Sequence, residues 1–318
     1  MYNIKMRTRQ LYGIMLVSIA IIFVMSWLNT QLASHHLEGF RNNSSQLKYV
    51  VVTPAGRREY LENLFAHMKK QKSTYNEWHL WMNTQKTDDI EYMERLASEN
   101  EWVKLKYHPK SDPSKGNMNI FKFFDYAVDP NTVYLRLDDD IVWLEDGFIS
   151  NMFKQRLAHP ENFLVFANII NNGIITHMHQ RSGAFVLEDK IVDFSSGGNG
   201  WNDVDIVTRL HNAFIEDVKS GNLDKWKKSF NTWVAEDYPR ISINAISWFG
   251  EEMRKVDRNL IVDEEQYLSS DYPKEVRKPN IIVGQPVCVH YAFYTQREHL
   301  DTTNILAKYR ELAGLDSS

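Results

Sequence analysis

Three adjacent carboxylates, Asp138, Asp139 and Asp140, stand in the stretch VYLRLDDDIVWLED at 133–146. Carboxylates this close repel one another unless a cation holds them. Hard divalent ions such as Mg2+ or Mn2+ take oxygen ligands and keep positions open for phosphate. The triplet therefore predicts a metal–diphosphate site, the alternative being a solvated turn or a helix cap. Its position favours the metal. Val133 to Leu137 has the β-branched and aromatic composition of a buried strand, and IVWLEDGFI resumes the apolar pattern beyond it.

The elements that must hold this triplet read as alternating strands and helices from residue 47 onward. LKYVVVTP is a continuous strand-type run ended by Pro54 and Gly56, and RREYLENLFAHMKKQ after it has helical spacing at Leu61, Leu64, Phe65 and Met68. EWHLWMNT and WVKLKYH read as further strands, and DDIEYMERLASEN and GNMNIFKFFDYAV as further helices, before TVYLRLDDD. Alternation at this length implies an α/β domain with a mostly parallel central sheet flanked by helices. In such sheets ligands bind beyond the carboxyl ends of the strands, where the three aspartates fall.

Composition narrows the function classes. Of 318 residues 43% are apolar, enough for a substantial core, and the net charge of −4 with mixed signs argues against a nucleic-acid partner. A single cysteine, Cys288, excludes an internal disulfide and a Cys-rich zinc site. Lys5, Arg7 and Arg9 precede an uncharged span at 11–28, which reads as a transmembrane signal anchor with residues 1–10 as a cytoplasmic tail. A cleaved signal peptide is the rival reading. Residues 29–46 are polar, carry N-x-Ser sequons at Asn42 and Asn43, and read as a stem. The domain at 47–318 is then expected on the lumenal (Golgi- or ER-like) or extracytoplasmic side.

A membrane anchor, a stem, a first strand YVVVTP ending in a short loop, and a strand ending in LDDD together resemble a GT-A glycosyltransferase, type II membrane-anchored. The segment NIIVGQPVCVHYAFYTQREHL near the end is similar to one in anchored GT-A-like enzymes in which a strand carries a histidine toward the metal. The resemblance covers residues 47 to about 300. It implies a Rossmann-like sheet, a D-x-D motif, a Mn2+ or Mg2+ cofactor and a nucleotide-sugar donor. Asp138 would approach the ribose or sugar, Asp140 would bind the metal, and Asp139 would orient its neighbours. His290 is implied as a further metal ligand beside Asp138 and Asp140; the other reading is a core histidine satisfied by a backbone carbonyl.

Further contacts follow from the same expectation. Thr53, Pro54, Arg57 and Arg58, in the loop after the first strand, should face the nucleotide, although GRREYLEN also reads as a plain helix start. An inverting transfer needs a carboxylate that takes the acceptor's proton. VDEEQYL, with Leu260 to Val262 as a short strand running into a helix, offers Asp263 and Glu264, and WFGEEM offers Glu252; as helix caps these acids would merely complement a dipole. Asn168, Asn171 and Asn172 suit hydroxyl recognition, and Trp201, Trp233 and Trp248 could stack on sugar rings. The loop FSSGGNGWND is flexible enough to close over a ligand. His177 and His179 would share a face for zinc only in an extended strand. The expected activity is metal-dependent transfer of a sugar, UDP-linked in the first instance, to a glycan, protein or lipid hydroxyl. The alternatives are a metal-dependent hydrolase or phosphotransferase, or a non-catalytic sugar-binding homologue.

Overall fold

The computed structural model describes residues 47–258 and 263–315. The expected tail, span and stem at 1–46, and the short strand expected at 260–262, lie outside the described residues. Among the described residues no helix is long and apolar enough to cross a membrane.

Among the described residues nine strands form one sheet: β1 (Lys48–Ala55), β2 (Glu77–Met82), β3 (Val103–Lys106), β4 (Thr132–Leu137), β5 (Ile141–Leu144), β6 (Val165–Ile170), β7 (Thr232–Val234), β8 (Ala245–Phe249) and β9 (Ile281–His290). Their order is β3-β2-β1-β4-β8-β6-β9-β5, with β7 pairing β9 off this path. β1, β2, β3 and β4 are mutually parallel. β8 runs against both β4 and β6, which makes β6 and its parallel partner β9 point with β4, while β5 and β7 oppose β9. Six of nine strands therefore share one direction, as a mostly parallel sheet requires, and β8 is an antiparallel insertion at its centre.

Sequence composition explains the first half directly. The β1 and β4 runs are buried along nearly their whole length, as expected of strands covered on both faces. Helix Arg58–Lys70 buries Tyr60, Leu61, Leu64 and Met68, one face of a 3.6-residue period. The helix expected around 116–128 is instead a 3-10 segment, Pro113–Tyr126, capped by Asp112 accepting from Ser114 N. Its buried apolar residues recur at Ile120/Phe123 and Phe121/Phe124, a spacing of three that suits three residues per turn.

Two apolar clusters clamp the sheet. Around β2 and β4, Trp81 stacks on Phe123 at 5.8 Å and Trp248 on Tyr134 at 5.6 Å, with Phe124 against Trp248 at 5.3 Å. Around β5 and β9, Trp143, Val287 and Val289 meet Ile206, Leu210 and Phe214 of helix Val204–Lys219, together with Tyr309 of helix Ile305–Ala313. The 204–219 helix begins at Asp203, whose carboxylate accepts from Asp205 N and Ile206 N.

Candidate active site

β4 delivers the aspartates to the floor of a cavity of about 520 Å3. Alternation along the strand puts Arg136 and Asp138 on one face. There Arg136 Nε donates to Asp138 Oδ1 at 2.8 Å, and Arg136 Nη1 donates to Glu264 Oε1 at 2.9 Å. Asp138 Oδ2 accepts from Asn244 Nδ2 at 3.2 Å. Both oxygens of Asp138 are thus held by protein donors.

Asp139 turns toward the loop after β1. Its Oδ2 accepts from Gly56 N at 2.9 Å, and its Oδ1 accepts from Arg57 Nε at 3.0 Å and from Arg57 Nη2. A Cβ at Gly56 would lie 2.8 Å from Asn83 O, so the loop's close approach needs glycine there. Burial pushes the Asp139 carboxyl up, and Arg57 offsets that only in part. Asp139 anchors the loop.

Asp140 faces the C-terminal elements. Its Oδ2 lies 3.0 Å from Arg57 Nη1, 2.9 Å from Arg297 Nη2 and 3.6 Å from His290 Nε2. Its buried Oδ1 has no hydrogen-bond partner among the described residues. Burial raises this carboxyl, but Arg57, His290 and Arg297 more than reverse that and hold it below the usual carboxylate range. His290 ends β9, and its Nδ1 is engaged by Asn171 O at 3.0 Å, which aims Nε2 toward Asp140. Asn171 achieves this with a left-handed backbone, φ 65°, secured by its Nδ2 donating to Tyr291 O and Gln296 Oε1, each at 3.0 Å.

These positions decide how a divalent cation fits. Among the described residues no group of three or more His, Cys, Asp or Glu side chains is assembled as a metal cluster. The expected set of Asp138, Asp140 and His290 is therefore incomplete, because Asp138 is turned to Arg136 and Asn244. Asp140 and His290 remain, with one orphaned buried carboxylate oxygen between protein and cavity. Mg2+ and Mn2+ sites that keep water and substrate phosphate need only one or two protein ligands. Charge points the same way: six carboxylates, Asp138, Asp139, Asp140, Asp263, Glu264 and Glu265, line the cavity against four guanidiniums, Arg57, Arg136, Arg240 and Arg297. The residues present fit a divalent cation shared with a phosphate ligand.

Of the expected bases, Glu264 alone has the environment of one. It lines the cavity, and its buried Oε2 has no hydrogen-bond partner among the described residues. Burial drives its carboxyl up to about 7, with Arg136 offsetting part of the rise. Asp263 also lines the cavity but caps the following short helix, its Oδ1 accepting from Gln266 N at 3.0 Å while Oδ2 pairs with Arg240 at 3.0 Å. Glu252 is remote. β8 is antiparallel to β4, so Phe249 and the helix after it sit beside Val133, at the opposite end of the strand from the aspartates. There Glu252 pairs with Lys255 and Lys278.

Several expected ligand contacts belong to the core instead. Thr53 is fully buried and accepts from Trp78 Nε1 at 2.9 Å, leaving Pro54 and Arg57 as the loop's contributions to the cavity. Arg58 points to Glu62 at 2.9 Å and is exposed. Trp248 is fully buried, with Nε1 donating to Ala127 O at 3.1 Å. Asn168 lies within β6, donating to Trp226 O and Gly284 O, and Asn171 acts behind His290 rather than in the cavity. Trp233 packs its ring against Phe194, and Trp201 alone of the three tryptophans reaches the cavity. His177 and His179 lie on helix Gly173–Arg181, where residues two apart diverge; they bond to Val192 O at 2.6 Å and Asn168 Oδ1 at 2.8 Å. Arg136, Asn244 and Arg297 were not anticipated. A lone arginine in an otherwise apolar strand, two residues before Asp138, is a signal that would have found the first.

No protein-family model matches the chain, and no curated protein sequence matches it. Solved structures of similar layout include 4-diphosphocytidyl-2C-methyl-D-erythritol synthase from Anaerococcus prevotii, 11% identical over 85% of this chain and 97% of that one, TM-score 0.41. CMP:2-keto-3-deoxy-manno-octonic acid synthetase with CTP is 8% identical over 83% and 99%, TM-score 0.44. Glucosyl-3-phosphoglycerate synthase from Mycobacterium tuberculosis, in complex with Mn2+, UDP and glucosyl-3-phosphoglycerate, is 9% identical over 88% and 85%, TM-score 0.41. At TM-scores below 0.5 the likeness assigns neither activity nor ligand to this chain.

Proposed function

We propose that this chain is a metal-dependent GT-A-type glycosyltransferase that moves a sugar from a nucleotide-sugar donor, UDP-linked in the first instance, to an acceptor hydroxyl. The observation that carries the reading is the pairing, within one cavity, of an orphaned carboxylate oxygen on Asp140 beside His290 with a second, proton-accepting carboxyl on Glu264. A divalent cation at Asp140 and His290 would supply neutralising charge for a diphosphate. Arg57 and Arg297, already converged on Asp140, are within reach of the same phosphates, and Arg guanidinium suits them in geometry and charge.

Glu264 Oε2 takes the proton from the acceptor hydroxyl as that oxygen forms its bond to the anomeric carbon. The bond from that carbon to the diphosphate oxygen breaks, its electrons leaving on the nucleoside diphosphate. Arg136 holds Glu264 and Asp138 together, so the base and the floor of the donor site move as one unit. A single displacement of this kind inverts the anomeric configuration. The charges at Lys5, Arg7 and Arg9 and the uncharged span at 11–28 support display of this domain on the far side of a membrane. The test is a screen of nucleotide sugars with Mn2+. Turnover of one donor with transfer to a hydroxyl supports the proposal, whereas cleavage of phosphate esters without any nucleotide sugar favours the hydrolase alternative.

A further inference from the structure

The cavity has two kinds of wall. Pro54, Arg57 and Ile120 come from β1, the loop after it and the 3-10 segment before β4, and Trp201, Phe293 and Tyr294 come from segments after β6 and β9. Among the exposed large apolar side chains of the described residues, Tyr294 alone lines the cavity, and it is 71% exposed.

This ring is open but firmly based. Trp201 and Tyr294 pack edge-to-face, at 5.1 Å between centroids and 77° between planes. Thr295 Oγ1 donates to Trp201 O at 2.6 Å, and the buried Gln296 donates from Nε2 to Gly200 O at 3.2 Å. Phe293 in turn packs on His290 at 4.6 Å. Two chain segments more than ninety residues apart are thus locked together, and both are tied to the histidine at the centre of the site. A rigid exposed aromatic face loses little freedom when a ligand lies on it.

We propose that Tyr294, backed by Trp201, is the acceptor subsite and that the acceptor is a saccharide. This rests on the reading of Asp140 and His290 as the diphosphate end of the donor site; the aromatic wall adjoins that end, where Phe293 packs on His290, and Tyr294 on it stays open for the second substrate. A sugar ring presents a CH face for stacking and hydroxyls around its rim, and here an open aromatic ring stands in a lining that also carries six carboxylates and four guanidiniums. A lipid chain would have to lie against the six carboxylates and four guanidiniums of this lining, whose desolvation disfavours it.

The test is saturation-transfer NMR on the full-length chain with UDP and Mg2+, using methyl β-glucoside, methyl β-galactoside and methyl α-mannoside as probes. We expect saturation of at least one probe, concentrated on the ring protons of one face. Tyr294→Ala should weaken that probe about tenfold while Tyr294→Phe retains it, since the stack and not the hydroxyl carries it. UDP signals should persist in both variants. The proposal is overturned if no probe is saturated by the parent chain, if Tyr294→Ala binds as the parent does, or if Tyr294→Ala loses UDP, which would make the ring a nucleobase platform. Failure of the parent chain to bind UDP with metal would sink the glycosyltransferase reading itself, a separate result.

Discussion

Arg136 Nη1 donates to Glu264 Oε1 at 2.9 Å across 128 residues of sequence, leaving Oε2 of the same carboxyl, buried, with no partner among the described residues. One oxygen fixes the group and the other is free to take a proton. Because burial places this carboxyl at about 7, transfer should rise as pH passes through that value. Glu264→Gln keeps an acceptor for Arg136 but cannot take the proton. It should lower kcat by roughly 10²- to 10⁴-fold and remove the rise from the pH profile. Turnover measured from pH 5 to 9 on both proteins checks this.

The same group sets a stability signature of known sign. Its folded value lies above its unfolded one, so its contribution is complete below the unfolded value and is lost as pH rises through about 7. Melting temperatures between pH 5 and 8 should fall with pH more steeply in the parent than in Glu264→Gln. Parallel curves would show that burial does not hold the proton.

Asp139 and Asp140 should separate by phenotype. Asp139 ties Arg57 and Gly56 to the end of β4 and has no free oxygen, so Asp139→Asn removes structure. Urea melts should show a loss of roughly 1–3 kcal/mol, less than for a fully buried pair because Arg57 is partly exposed.

Trp248 and Glu252 lie in the lower half of the sheet, and their substitution should touch stability alone. Trp248→Ala empties a site packed by Tyr134 and Phe124 and should cost about 3–5 kcal/mol. Glu252→Gln should leave turnover unchanged at saturating donor. A loss of turnover in a well-folded Glu252→Gln protein would move the base away from Glu264.

Much of this fold is legible in local pattern. The runs at β1, β2 and β4 carry their own strand signal, and the triplet's place after a buried strand is what located the cavity. The central position of β8 is not, because order in a sheet depends on pairings such as Val133 with Phe249, which no local period records. Trp248 was misread for a related reason: a strand buried on both faces has no polar alternation to reveal that its tryptophan points into the core. Within the site, Asp140 and His290 were readable from their motifs. Arg297 and Asn244 reach the aspartates across 157 and 106 residues, so only the folded chain brings them together. Asn171 was identified as a sugar contact because its amide suits hydroxyls, whereas its left-handed backbone turns its carbonyl to His290.

The most direct test of the central claim is calorimetric titration of UDP into the full-length chain with Mn2+ and with EDTA, for the parent and for Asp140→Asn. Binding by the parent should depend on Mn2+. In Asp140→Asn, with its melting transition still cooperative, that dependence should weaken by more than about a hundredfold, beyond the roughly 10- to 100-fold that loss of an outer hydrogen-bond partner costs a metal site. Equal Mn2+-dependent affinity in the two proteins would contradict the assignment of Asp140 and His290 to a metal–diphosphate site.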